Sequence, residues 1–259
     1  MPLITNNNQL NHQVAIDFAK KIKLIDQFKA SLSPLYREIS HEYETLYKEN
    51  GQVLHIHHYR EKFQNVIESN YITIANAFKF NIREGEKAMN EKELAAMIDT
   101  QLSLYVKHHS INQTEFIIST LDEKLKQGIE TVIIDAAAQG ITPDRSKIAS
   151  SAARKFRNDE IAHAGIIATT ETNNMANEAK YVEATSYVKA MSENIRKMWK
   201  TVFDDVTRAA HIIADGQEVG VDEPFSVNNE FLMFPTDMSL GASLENIMNC
   251  RCDALFMKS

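Results

Sequence analysis

Glycine and proline are scarce, eight and five in 259 residues, and only five of the glycines and three of the prolines precede Lys197. Chain reversals between strands draw on residues that reach left-handed backbone or a fixed φ, so the first three quarters of the chain has little room for a sheet. Cysteine is scarcer still, with Cys250 and Cys252 alone, which excludes a disulfide framework. No apolar run approaches the ~20 residues that a membrane-spanning helix needs. The opening MPLITNNNQL has no basic segment followed by an apolar one, so no secretory signal is expected and a cytoplasmic origin follows. Positive charge is also short. The net charge is −7, and from Met191 onward six basic residues face eleven acidic ones. Proteins that coat nucleic acid gain affinity by replacing counterions with Lys and Arg, and this balance argues against that class, above all for the terminal region.

What the chain does have is helical periodicity. Val14, Phe18, Ile22, Ile25, Phe28 and Leu32 recur at three and four, marking one helix face. Ser33-Pro34 reads as a cap and a first-turn proline, predicting a second helix through Leu35, Ile39, Tyr43 and Leu46 that stops at Gly51. A third is expected from about Val53 to Gly85. Asn90-x-x-Glu93 and Asn112-x-x-Glu115 resemble capping boxes that open a fourth and a fifth, the latter ending at Gly140. Thr142-Pro143 introduces a helix from Arg145 to about Arg157, and a last long one runs from about Asp159 to Ala190.

After Lys197 the texture changes. Met198 to Phe203 is rich in strand formers, Thr207 to Ala214 suits a short helix, and Asp215-Gly216 signals a turn. Phe225-Ser226-Val227 and Phe231 to Phe234 bracket Asn228-Asn229 as a hairpin tip. A helical turn or two is expected at Leu244 to Met248, then a final strand from Cys250 to Met257. In that strand Cys250, Cys252, Ala254 and Phe256 share one face, with Arg251 and Asp253 on the other. The fold class is α+β: a long-helix region over 1–145, then over 146–259 a small domain of short, mostly antiparallel strands with short helices.

The distinctive residues stand in a fixed order: Glu171; Lys197-x-Trp199; Asp205-x-Thr207-Arg208-x-x-His211; Asp215-Gly216; Asp222-Glu223-Pro224-Phe225; Phe234-Pro235; and Asn249-Cys250-Arg251-Cys252. From about Ile161 to Phe256 this set resembles the phage Mu protein F-like minor head, or head morphogenesis, proteins. Two positions depart from that family's pattern. Its Ala-Arg-Thr-Glu reads Ala168-Thr169-Thr170-Glu171 here, so the glutamate carries over and the arginine does not. Its Pro-Gly-Asp turn reads Pro235-Thr236-Asp237.

Each chemical reading has a plainer one beside it. Cys250 and Cys252 with His211 and a carboxylate such as Asp215 supply the residue types of a zinc site. Structural sites, however, usually show a second Cys or His pair, so the reading is no metal and no cofactor, with both thiols packed as small apolar groups. Cys250, His211 and Asp215 also suffice in type for a Cys-His-Asp nucleophilic site, but a cysteine inside a strand is poorly placed to attack, and no catalytic residue is assigned. Arg208 and His211 suit a buried polar network, Arg208 pairing with Asp204, Asp205 or Glu171 and His211 donating to a backbone carbonyl. The family's suspected kinship with ADP-ribosyltransferases casts His211 with Glu171 or Glu223 in NAD chemistry, and the alternative function is an ADP-ribosyltransferase-like or other toxin-like activity in the terminal domain. His55, His57 and His58, and likewise His108 and His109, lie close in sequence and read as solvated helix-end residues. Arg145, Lys147, Arg154, Lys155 and Arg157 form the one dense basic stretch, either a DNA contact or a solvated flank paired with acidic neighbours.

The resemblance implies a minor capsid protein of a tailed phage, inside the head near the portal and present in several copies, in the host cytoplasm during assembly. Its implied partners are the portal protein, packaged DNA, and major capsid or scaffold proteins. The implied mechanism is binding, with Phe18, Phe28, Tyr36, Tyr43, Tyr59 and Phe63 offered by the helices to a partner or to further copies.

Overall fold

The computed structural model describes residues 7–79, 91–191 and 194–258. Long helices come first: α1 Asn7–Asn50, a 3-10 turn Ile56–Tyr59 running into α2 Arg60–Phe78, α3 Glu91–Ala138 and α4 Arg145–Met191. Short elements follow: β1 Ile195–Lys200, α5 Ala209–Ala214, β2 Glu218–Gly220, β3 Phe225–Val227, β4 Glu230–Leu232, α6 Leu244–Ile247 and β5 Asp253–Lys258. The α+β order is as the sequence predicts.

The expected helix breaks inside α1, α3 and α4 are absent. Pro34 sits within α1, and Ser33, rather than capping a new helix, donates its hydroxyl back to the Lys29 carbonyl at 2.9 Å. A mid-helix proline costs about 3 kcal/mol. Phe28, Leu32, Tyr36 and Ile39 on the flanking turns are fully buried, and their burial, worth roughly 1.5–3 kcal/mol each, outweighs that cost. In α3 the supposed capping residue Glu115 instead pairs with Arg60 at 2.6 Å, and the helix runs through. Between Arg157 and Asp159 no glycine or proline intervenes, and α4 continues for 47 residues. The true ends carry the expected glycines: Gly51 at φ +70° closes α1 and Gly140 at φ +68° follows α3. Asp144 caps α4, accepting the Lys147 amide at 2.8 Å. The stop expected at Gly85 and the cap at Asn90 lie outside the described residues.

Two compact units interleave along the chain: Met1–Asp26, Asn70–Val106 and Ile166–Ser259 form one, Gln27–Ser69 and Lys107–Gly165 the other. The sequence reading divides the chain only once, between 145 and 146. The second unit is all helical. Its core is aromatic: Tyr36 tilts against Phe63, Tyr43 against Phe156, and the Tyr43 hydroxyl donates to the Leu125 carbonyl at 2.5 Å. Phe28, Tyr36, Tyr43, Tyr59 and Phe63 are therefore sealed in their own core, at 0–1% exposure, and are not presented to a partner as the sequence reading expected.

In the first unit β1 is the central strand of an antiparallel sheet ordered β2-β1-β5, with Trp199 opposite Ala254 and Lys197 opposite Phe256. β3 and β4 form a separate hairpin whose tip, Asn228-Asn229, has both residues at positive φ as a twist-matched two-residue turn requires. Trp199, Phe225, Val227, Leu232, Ile247 and the two cysteines share one apolar cluster; Ile195, Phe234, Ala254 and Phe256 share a second. Lys197 is enclosed as well. Its ammonium donates to the Val221 carbonyl at 2.9 Å and lies over the Tyr181 and Phe225 rings, and burial pushes its pKa down to about 8.

Candidate functional site

The part of α4 that belongs to the first unit is buried without interruption from 167 to 180, although it reads IATTETNNMANEAK. Such a polar helix is buried at little cost where most of its side chains are bonded, and here they are, Thr172 Oγ1 and Asn173 Oδ1 excepted. Asn174 donates to the Thr236 carbonyl at 2.9 Å and accepts the Tyr105 hydroxyl at 2.6 Å. Asn177 accepts the Ala254 amide at 2.9 Å and donates to the carbonyls of Cys252 and Pro235. On the outer edge of β5 its amide thus stands where the backbone of another strand would. Thr170 accepts the Asn249 amide at 2.8 Å, fixing a residue held at φ +56°.

These anchors set the position of Asn249-Cys250-Arg251-Cys252. The sequence reading began the final strand at Cys250, but the segment is a loop between α6 and β5, which starts at Asp253. It nevertheless keeps a strand's alternation: both cysteines are buried and Arg251 turns out to an ion pair with Asp204 at 2.9 Å. Asp253, expected on the outer side, is buried too, because α4 covers that face of β5.

Across from the cysteines stands His211, on α5. Its Nδ1 is 3.5 Å from both Cys250 Sγ and Cys252 Sγ, and its Nε2 is buried without a hydrogen-bond partner. Trp199 meets the imidazole edge-on at 5.5 Å. The backbone carbonyl of His211 accepts the Thr201 hydroxyl at 2.7 Å. All three side chains are buried, yet they line one pocket together with Asp204, Thr207, Arg208 and Arg251. The Cys250 thiol is held below its ordinary pKa chiefly by a hydrogen bond from Cys252, helped by the charge of Arg208 and opposed by burial. Cys252, the donor of that pair, is pushed well up by that bond and by burial.

The remaining predicted residues fall around this core rather than in it. Arg208 donates to the Met248 carbonyl at 2.6 Å, not to Asp204, Asp205 or Glu171, and His211 makes its contacts to sulfur rather than to a carbonyl. Asp205 is exposed, whereas its neighbour Asp204 accepts from Thr207 at 2.9 Å and pairs with Arg251. Asp215, expected beside the cysteines, spends its oxygens on Lys200 at 3.0 Å and the Thr201 amide at 2.7 Å. Gly216 takes φ +79° in the turn that returns its amide to the Trp199 carbonyl. Glu171 is buried and accepts the Tyr71 hydroxyl. Glu223 closes a surface turn on the Gly220 amide at 2.8 Å. The glutamates cast for NAD chemistry are thus engaged at separate places. The basic residues Arg145, Lys147, Arg154, Lys155 and Arg157 are all exposed on α4; Lys147 pairs with Asp144 and Lys155 with Asp159. His58 contacts Glu42 and His55 contacts Asp122. Among the described residues, only His211, Cys250 and Cys252 gather as a set of metal-ligand type.

Sequence reasoning missed Thr170, Asn174 and Asn177. The signal was present: three asparagines in five positions of a long helix run against helix propensity and need a tertiary reason. It also missed a buried ion network in which Lys180 pairs with Asp17 at 3.3 Å and with Asp253, and Lys21 pairs with Asp253 at 3.3 Å. Burial alone lowers both lysines. The carboxylates overcome it at Lys180, whose pKa is raised, but not at Lys21.

The NAD(+)--arginine ADP-ribosyltransferase EFV of Enterococcus faecalis (strain ATCC 700802 / V583) is 35% identical over 92 residues, which make up 34% of this chain and 18% of that protein. The chain thus spans under a fifth of the length of this relative. No solved structure matches. The family described as Phage Mu protein F like protein matches residues 127–255, a span that takes in α4, the Cys-His cluster and the first half of β5. The C-terminal region of this chain therefore belongs to the Phage Mu protein F like family.

Proposed function

We propose that the chain is a minor head protein of a tailed phage, acting in head morphogenesis inside the capsid beside the portal. The match over residues 127–255 carries this reading, and the architecture agrees with a binding rather than a catalytic role. The carboxylates are committed to backbone amides, lysines and a tyrosine, and the polar stretch of α4 serves to hold the terminal domain's loops. With Phe28, Tyr36, Tyr43, Tyr59 and Phe63 enclosed, the helical region meets the portal through apolar side chains that stay exposed, Phe116, Ile133, Ile134 and Ile141, and the terminal domain through Ile212 and Ile213. The exposed basic face of α4 touches packaged DNA.

Co-purification with the portal protein of the same phage, with the complex sized at low and high salt, tests this. A stoichiometric complex that survives high salt is expected, since apolar contacts are insensitive to screening. A lone monomer at both salts overturns portal binding. The similarity to the ADP-ribosyltransferase supports a second reading, NAD binding by the terminal domain. A ligand that binds only the folded chain raises its melting temperature, so a shift with NAD favours that reading and an unchanged melt removes it.

A further inference from the structure

We propose that His211, Cys250 and Cys252 bind one thiolate-preferring divalent cation of the zinc class, with the fourth position facing the pocket and held by water. The proposal stands independently of the head-assembly reading. Its first ground is geometric. With Zn–S of about 2.3 Å and Zn–N of about 2.0–2.1 Å, a tetrahedral S···N edge is roughly 3.6 Å. Both S···N separations here are 3.5 Å, and the three ligand atoms lie within 4.8 Å of one another.

The second ground is hydrogen-bond capacity. A neutral imidazole nitrogen without a proton has one lone pair and accepts from one thiol, so the equal approach of two sulfurs to Nδ1 is more than hydrogen bonding among the three requires. The other ring nitrogen is buried without a partner, so Nδ1 is the ring atom positioned to meet a ligand. A cation between the three satisfies all of them at once. Two thiolates and a divalent cation also sum to no net charge, which suits a buried place far better than two thiolates alone. The thiol protons leave to solvent as the cation enters.

The third ground is preorganisation. Each ligand is fixed from behind: His211 through the Thr201 hydroxyl on its carbonyl, Cys250 through its amide to the Ile247 carbonyl and the neighbouring Asn249–Thr170 bond, and Cys252 through Asn177. Ligands held this way lose little freedom on binding metal.

The test is titration of the reduced full chain with Co2+ and then Zn2+. Expected are a thiolate-to-cobalt charge-transfer absorption that saturates at one cobalt per chain, its bleaching by zinc, and its loss in Cys250→Ser and in Cys252→Ser. Absence of the band, or an unchanged band in both variants, overturns the site. A second readout needs no variant: bound zinc should slow alkylation of both thiols in the native chain at least tenfold. Equal alkylation with and without zinc likewise overturns it.

Discussion

Thr236 is the residue most at odds with its backbone. It sits at φ +77°, fully buried, in a turn where the Asp237 amide returns to the Phe234 carbonyl at 3.0 Å. Proline in the second position and positive φ in the third make the pattern of a turn that wants glycine, and a β-branched residue there is strained by roughly 1–3 kcal/mol. The resembling family has glycine at this position. Thr236→Gly is therefore expected to stabilise the chain by about 1 kcal/mol, net of the lost side-chain packing, and to raise its melting temperature by a few degrees. A lower melting temperature would mean that the threonine's packing outweighs its strain. At this scale the sequence named Trp199, His211, Cys250 and Cys252 as a group through resemblance and residue type. It misplaced the partner of Arg208 and set Asp205 where Asp204 does the bonding, because sequence order carries no side-chain direction.

At the scale of elements, α4 is the helix that organises the terminal domain. Its Asn177 occupies the edge of β5 and bonds Cys252 and Ala254 on either side of Asp253. Asn177→Leu leaves a buried carbonyl and a buried amide unpaired at about 1–3 kcal/mol each, so a loss of roughly 2–6 kcal/mol is expected in urea unfolding. Asn158→Leu, on an exposed turn of the same helix, should change stability by no more than about 0.5 kcal/mol. Equal effects at the two positions would show that helix propensity, not the edge contact, governs. Apart from β2, which the sequence reading did not foresee, the strands and short helices of the terminal region were legible within a few residues because Asp-Gly and Asn-Asn turns punctuate them. The helix breaks at Ser33, Asn112 and Arg157 were misread for a related reason: capping signals are worth about 1 kcal/mol and yield to a continuous buried face.

On the scale of the folded unit, the network of Asp17, Lys21, Lys180 and Asp253 joins α1, α4 and β5 across 236 positions of sequence from Asp17 to Asp253. Asp253→Asn leaves two buried ammonium groups facing one carboxylate, and a loss of about 3–5 kcal/mol at neutral pH is expected. The pH dependence has a definite sign. Burial opposes the Asp253 carboxylate, but Lys180 and Lys21 hold its pKa below the usual range. Its contribution is thus fully present above the unfolded value of about 3.9 and is lost as pH falls through the lower folded value. The stability gap between wild type and Asp253→Asn should accordingly narrow in acid; a gap that stays constant from neutral pH to pH ~2 would rule out a charge origin.

From sequence alone followed the fold class, the change from long helices to short strands and helices, and the family resemblance, since periodicity, turn residues and motif order are local or linear properties of a chain. Only the tertiary structure decided which aromatics close a core rather than face a partner, which polar residues of α4 are buried, and that one histidine meets two cysteines at equal distance. Burial and convergence depend on segments up to 236 residues apart coming together, from Asp17 to Asp253, and that distance leaves no period in the sequence from which it can be read.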